Sequence, residues 1–194
     1  MSPGAPGESR VRRRTRRRIA LATLELLEEG VVRPTFAQVA QRAGVGRRTV
    51  FRHYEDLGAL FFEVTRLNVI RHQELWQPLE ARGSREERVR ALARHRQRLF
   101  EAVRPLRRSA ASLETRYPQV DELLQGGVRV NRAQLEAVLA PELEGAPREL
   151  VEALDAVASY EYWDRLRTRQ RLGPRQAAAT LERALLALLR GAGA

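Results

Sequence analysis

Residues 35–54, Thr-Phe-Ala-Gln-Val-Ala-Gln-Arg-Ala-Gly-Val-Gly-Arg-Arg-Thr-Val-Phe-Arg-His-Tyr, constrain this chain more than any other stretch. They predict a helix, a tight turn and a second short helix. The Thr35 hydroxyl is suited to cap the first helix, because it can accept from the free N–H groups of the first turn. Val39, Ala40 and Ala43 place a small apolar stripe on one face. Gly44 sits where the chain must reverse, and glycine takes a left-handed backbone there without steric cost. Val45 then fills the angle between the helices. Val50 and Tyr54, four residues apart, give the second helix its buried side. Arg47, Arg48, Thr49, Arg52 and His53 are left facing outward. Any helical hairpin needs a glycine turn and apolar inner faces, but this one also carries four arginines and no acidic residue. A new helix start follows at Glu55-Asp56. A short helix with a buried back and a cationic front, held at a fixed angle, is the build of a helix-turn-helix that enters the DNA major groove.

These residues resemble the DNA-binding domain of the TetR family of bacterial transcriptional regulators. That family's pattern is a threonine cap, an Ala-x-x-Ala-Gly-Val turn, a Thr-aliphatic-aromatic-x-His-aromatic recognition helix, and a leucine in the next helix. Here these are Thr35, residues 40–45, residues 49–54 and Leu60. The match covers about residues 10–62 and is specific; the remainder resembles the family only in its helical layout. Gly46 stands where the family usually has a serine cap, Phe51 where a tyrosine often reaches a phosphate, and Leu57 where a lysine commonly contacts the backbone. The resemblance implies a homodimer, a ligand-binding C-terminal domain, and a connecting helix that swings when ligand binds.

Charge is consistent with this layout. The net charge is +11, and all 35 basic residues are arginine, as a GC-rich genome would also produce. Residues 9–54 hold twelve arginines against three glutamates, a net of +9, which leaves only +2 for the rest of the chain. A basic head on a near-neutral body fits a polyanion-binding domain joined to one that binds something else. There are no cysteines, which excludes disulfides and thiolate chemistry. No apolar run approaches the roughly 20 residues that span a bilayer. The N-terminus lacks the apolar core of a secretory signal. No membrane partner and a cytoplasmic location are expected.

The predicted organisation is all-α: a disordered tail at 1–9, a three-helix helix-turn-helix DNA-binding domain at 10–55, and a helical ligand-binding and dimerisation domain at 56–194. The run Arg10–Arg18 is expected to be part fraying arm and part first helical turns, leading into a helix that ends near Gly30. A long helix is expected from Asp56 to about Trp76. Ser84 with Glu87 forms a capping box for a helix over 85–103, which Pro105 ends or kinks, with a short helix near 106–114. Pro118 starts another helix, where Gly126-Gly127 either kink it or leave room for a ligand. Residues 140–147 read as a loop, and the last helices as 147–170 and 174–190.

For DNA contact the candidates are Arg47, Arg48 and Thr49, since arginine can pair bidentately with guanine and the threonine methyl can touch thymine. Arg52 and His53 are expected on phosphates. Thr35 and its neighbour Gln38 stand at a helix N-terminus that favours anions. Arg12, Arg13 and Arg14 are expected to grip phosphates or the minor groove. Trp76, His95, Phe100, Tyr117, Tyr162 and Trp163 are candidates for the effector pocket, with ordinary core packing as the competing role for each. The wide stripe of the last helix serves either its own core or a two-fold four-helix seam. The family resemblance favours the seam, with Leu154, Val157, Leu181, Ala184, Leu185 and Leu188 in it. The three histidines are scattered, so no metal site is expected; no cofactor and no catalytic residue are expected either. The expected partners are a double-stranded DNA operator, an unidentified small-molecule effector and a second copy of the chain. The competing readings are a sequence-tolerant architectural DNA-binding protein, and an enzyme or ligand carrier with an incidental basic head.

Overall fold

The computed structural model describes residues 10–110, 113 and 117–191. The tail expected at 1–9 lies outside them. Among the described residues there are ten α-helices and no strand. It divides into two compact units, one of residues 1–71 with 105–123, the other of residues 72–104 with 124–194.

In the first unit, α1 (Arg10–Glu28), α2 (Phe36–Ala43), α3 (Arg47–His53) and α4 (Leu57–Arg71) surround a core of Ile19, Leu24, Val39, Val50, Leu60 and Val64. The run Arg10–Arg18 is helical throughout, so no fraying arm occurs within it. A continuous helix keeps its N–H and C=O groups paired, and the side chain of Thr15 also donates to the carbonyl of Val11. Two ion pairs tie the end of α1 to its neighbours: Arg42 to Glu29 at 2.6 Å and Arg71 to Glu28 at 2.7 Å. Helix α4 starts on an Asp56 cap, whose carboxylate accepts from the Ala59 N–H at 2.7 Å. It stops at Arg71, short of the expected Trp76. His72 leaves the helical region with φ −118° and ψ 34°, and Gln73–Trp76 form a separate 3-10 turn.

Helix α5 (Arg85–Ala110) continues past Pro105, so the helix does not end there and no separate short helix begins near 106, which corrects that part of the expectation. Leu106 and Ala110 are buried beyond the proline, and their packing outweighs the one backbone bond it removes. Helix α6 (Pro118–Val138) is continuous across Gly126-Gly127. Within the first unit, Gly58 in α4 lies against the ring of Tyr117, where a Cβ would come within 2.6 Å of the ring.

The second unit has its own core, with Trp163, Leu92, Leu99, Leu135, Leu139, Leu154 and Leu185 fully buried. The region expected to be a loop contains a one-turn helix, α7 (Ala140–Leu143), started by a proline. The single helix expected over 147–170 is divided. α8 (Arg148–Val157) ends, and the Ser159 hydroxyl accepts from the Tyr162 N–H at 3.2 Å to start α9 (Tyr160–Asp164). A five-residue π segment, Arg165–Arg169, follows, and α10 (Pro174–Gly191) closes the chain. The serine offers the backbone a cap where the apolar spacing alone suggested continuity.

Candidate nucleic-acid interface

The turn of the motif is built by local chemistry. The Thr35 hydroxyl accepts from the Gln38 N–H at 3.3 Å, and the Gln38 side-chain carbonyl accepts from the Thr35 N–H at 2.9 Å. This reciprocal capping box fixes the start of α2, and the Gln38 side chain expected at DNA is engaged in it. Gly44 adopts φ 60°, ψ 41°, and the N–H groups of Gly44 and Val45 return to the last carbonyls of α2. A left-handed residue of this kind is nearly free only for glycine. Gly46 starts α3 without a side-chain cap.

Helix α3 is held from behind by Val50 and Tyr54, both essentially fully buried. The Tyr54 hydroxyl donates to the Arg16 carbonyl at 3.0 Å, and burial pushes its ionisation well above the usual phenol value. In front, Arg47, Arg48 and Arg52 are exposed, while Thr49 and His53 are half-buried at the edge of the packed face. Arg12, Arg13 and Arg14 are exposed on the first turns of α1.

Five carboxylates of this unit are committed elsewhere. Glu29 and Glu25 face Arg42, Glu28 pairs with Arg71, Glu63 pairs with Arg66, and Asp56 caps α4. The hydrogen bond and charge of Arg42 hold Glu29 below the usual carboxylate value and raise the guanidinium in return. Among the described residues, Arg33, Arg47, Arg48 and Arg52 have no carboxylate within ion-pair distance. Unneutralised guanidinium groups on one short helix are chemically suited to phosphate oxygens and guanine edges.

The six residues expected around an effector are divided between the two units. Tyr117 belongs to the first unit, while Trp76, His95, Phe100, Tyr162 and Trp163 belong to the second. There Phe100 meets Trp163 with ring centroids 6.2 Å apart and Tyr160 edge-on at 5.8 Å. Trp163 donates its indole N–H to Glu101 at 2.9 Å, and Arg167 pairs with the same carboxylate at 2.7 Å. Burial pulls Glu101 upward, but these donors outweigh it and hold it below the usual value. Trp76 lies over Gly127, whose Cβ position would be 3.8 Å from the indole. His95 is buried, which lowers its pKa to about 4, with the charges of Arg96 and Arg98 adding to the effect.

Sequence reasoning missed the buried polar centre beside His95. Arg96 is fully buried and donates to the Gln134 side chain at 2.8 Å and to the Asn131 carbonyl at 2.6 Å. Burial lowers its pKa to about 10. Gln134 in turn donates to the Gln77 carbonyl at 2.7 Å. Nothing in the spacing of this arginine distinguishes it from its exposed neighbours.

Of the side chains expected at a dimer seam, Leu154, Leu181 and Leu185 are buried in the core of the single chain, which corrects their assignment: α8 and α10 pack on each other and enclose them. Val157, Ala184 and Leu188 remain half-buried. No helix among the described residues is long and apolar enough to cross a membrane.

No family model matches the sequence, and no curated protein does. Solved structures do match. A transcriptional regulator from Rhodococcus strain RHA1 is 22% identical, with a TM-score of 0.70 over 92% of this chain and 98% of its own. NalD of Pseudomonas aeruginosa, the secondary repressor of the MexAB-OprM multidrug efflux pump, is 25% identical, with a TM-score of 0.55 over 93% and 96%. A Mesorhizobium loti protein provisionally assigned to the TetR family is 19% identical, with a TM-score of 0.61 over 94% and 98%. Along nearly its whole length, the chain has the fold of TetR-family transcriptional regulators.

Proposed function

We propose that the protein is a ligand-responsive transcriptional repressor of the TetR type, which binds a near-palindromic operator as a homodimer and leaves it when an effector binds. The observation that carries this reading is α3 itself: a short helix backed by buried Val50 and Tyr54, whose outward arginines lack carboxylate partners. Residues 10–55 carry the DNA contacts in this reading, and residues 56–194 the effector site and dimer seam. Arg47, Arg48 and Thr49 read bases near the start of α3, while Arg52, His53, Thr35 and the arginines of α1 meet phosphates. Val157, Ala184 and Leu188 contribute to the seam. Release follows from linkage: an effector that prefers the dimer conformation unable to span both half-sites must weaken DNA binding by the same factor.

The test is selection of the purified protein on a random double-stranded DNA library at physiological salt. The expected result is a two-fold motif whose half-sites lie about one helical turn apart or slightly more. Recovery of bulk DNA, with a steep salt dependence and no motif, favours the sequence-tolerant architectural reading instead.

A further inference from the structure

Two apolar side chains of the basic head, Phe51 and Leu57, stand 48% and 38% exposed, a poor use of surface on a face suited to phosphates. Both stand where the motif's usual tyrosine and lysine are absent. Both line the same cavity, of about 550 Å³, which lies wholly within the first unit. Its walls include Leu27, Phe36, Leu60, Phe61 and Tyr117. Phe36 and Phe51 meet edge to face inside it, with centroids 4.6 Å apart. Arg33 and Arg47 also line it, and neither has a carboxylate partner among the described residues. The Arg47 guanidinium lies 5.7 Å from the centre of the Phe51 ring.

We propose that this cavity binds an aromatic carboxylate, and that the bound molecule competes with DNA for Arg47. The volume falls in the range of small-molecule sites, which are mainly apolar with a few polar groups that set orientation. Four rings in the wall, those of Phe36, Phe51, Phe61 and Tyr117, favour a flat aromatic body through edge and offset contacts. Two unneutralised guanidinium groups favour an anionic head, and a carboxylate matches their planar fork. The aromatic cluster around Trp163 belongs to the other unit and shares no lining residue with this cavity. Because Phe51 and Arg47 both belong to α3, an occupant touches the DNA-facing helix directly. The competition rests on α3 being the DNA-contacting helix; the binding itself does not.

Isothermal titration of the full chain with 2-naphthoate, and with 2-naphthol as its neutral counterpart, tests the proposal. One naphthoate per chain is expected, with naphthol at least about tenfold weaker. Leu57→Trp, at a partly exposed position, fills the cavity and should abolish binding. Arg33→Ala should weaken it by about threefold, as for an exposed ion pair. In the unaltered chain, methyl NMR signals of Leu27, Leu57 and Leu60 should move on titration. Saturating naphthoate should lower affinity for duplex DNA of any sequence. The proposal is overturned by equal affinity for naphthol, by undiminished binding to Leu57→Trp, by shifts confined to methyls of the other unit, or by no binding up to about 10 mM, near the edge of measurable affinity. Naphthoate binding that leaves DNA affinity unchanged overturns the competition. DNA binding without naphthoate binding sinks the cavity and spares the regulator; the reverse pattern sinks the regulator and spares the cavity.

Discussion

The Tyr54 hydroxyl donates to the Arg16 carbonyl at 3.0 Å, and the Arg16 guanidinium lies 5.1 Å from the centre of the same ring. The end of α3 is thereby fastened to the arginine-rich stretch of α1. Tyr54→Phe keeps the ring and removes the bond, and should cost about 1 kcal/mol of stability in denaturant unfolding. Alkali supplies a second readout. The folded phenol holds its proton above the ordinary value of 10.0, so its contribution is complete below pH 10 and is lost as pH rises beyond it. The gap between wild type and Tyr54→Phe should therefore narrow above pH 10; a constant gap would contradict the role given to the hydroxyl.

The arginines of the head should separate into two classes. Arg48→Ala removes a base-reading candidate and should cost about 1–3 kcal/mol on the selected motif, with little loss on random DNA. Arg52→Ala should weaken binding to both by the same factor. Replacing Arg12, Arg13 and Arg14 together should reduce the slope of log affinity against log salt. Fluorescence anisotropy over a salt series measures all three, and identical losses for Arg48→Ala and Arg52→Ala on every sequence would remove the assignment.

Acid should destabilise the second unit through His95. Its folded pKa, about 4, lies below the ordinary 6.5, so its contribution is complete above pH 6.5 and is lost as pH falls toward 4. Between pH 6.5 and 5 the wild type should lose about 2 kcal/mol more than His95→Gln. Parallel unfolding titrations of the two proteins decide the matter, and equal losses would show that other groups govern the acid transition.

Arg96 offers a test of a buried charge. Arg96→Ala leaves a void and strips Gln134 and the Asn131 carbonyl of their donor, and should cost about 3 kcal/mol or more. Arg96→Met fills most of the volume and should cost clearly less. Thermal unfolding ranks them, and equal losses would mean that the hydrogen bonds, rather than the filled space, carry the residue's contribution.

The proposed seam can be probed at the half-buried positions of α10, with circular dichroism as the check that the fold survives, since Leu188 also packs against the core. Ala184→Arg combined with Leu188→Glu places charges at half-buried positions of α10. If the chain dimerises through this seam as proposed, sedimentation should report a dimer for the wild type and a monomer for the double variant, with DNA affinity reduced because two half-sites are no longer bound together. A wild-type sedimentation profile would move the seam elsewhere.

Local chemistry was the part of this fold most legible in the sequence. The Thr35 cap, the left-handed Gly44 and the Ser84–Glu87 capping box occur where the residues indicate, because each is decided within about four positions of chain. Breaks decided by tertiary packing were misread. Pro105 signals an end or a kink, yet the helix does not end there, and Leu106 and Ala110 are buried beyond it. Leu154 and Leu185 look like a seam, yet they are consumed where α8 meets α10. Arg96 and Gln134 find each other across 38 residues of sequence, a distance at which no spacing rule operates. The cavity behind Phe51 was hidden for the same reason: its wall draws on residues from 23 to 117.

Gly58 gives the head a tolerance measured in single carbon atoms. A Cβ at this position would stand 2.6 Å from the Tyr117 ring and 2.8 Å from the Gln119 amide, so even alanine must push both aside. The displaced ring is itself part of the cavity wall. Position 58 is thus a wedge point: one methyl group added there reshapes the chamber beside α3 while every arginine on that helix keeps its identity and its charge. If α3 meets DNA as proposed, a change in DNA response is available to the chain by inheritance through one codon as well as by the arrival of a ligand.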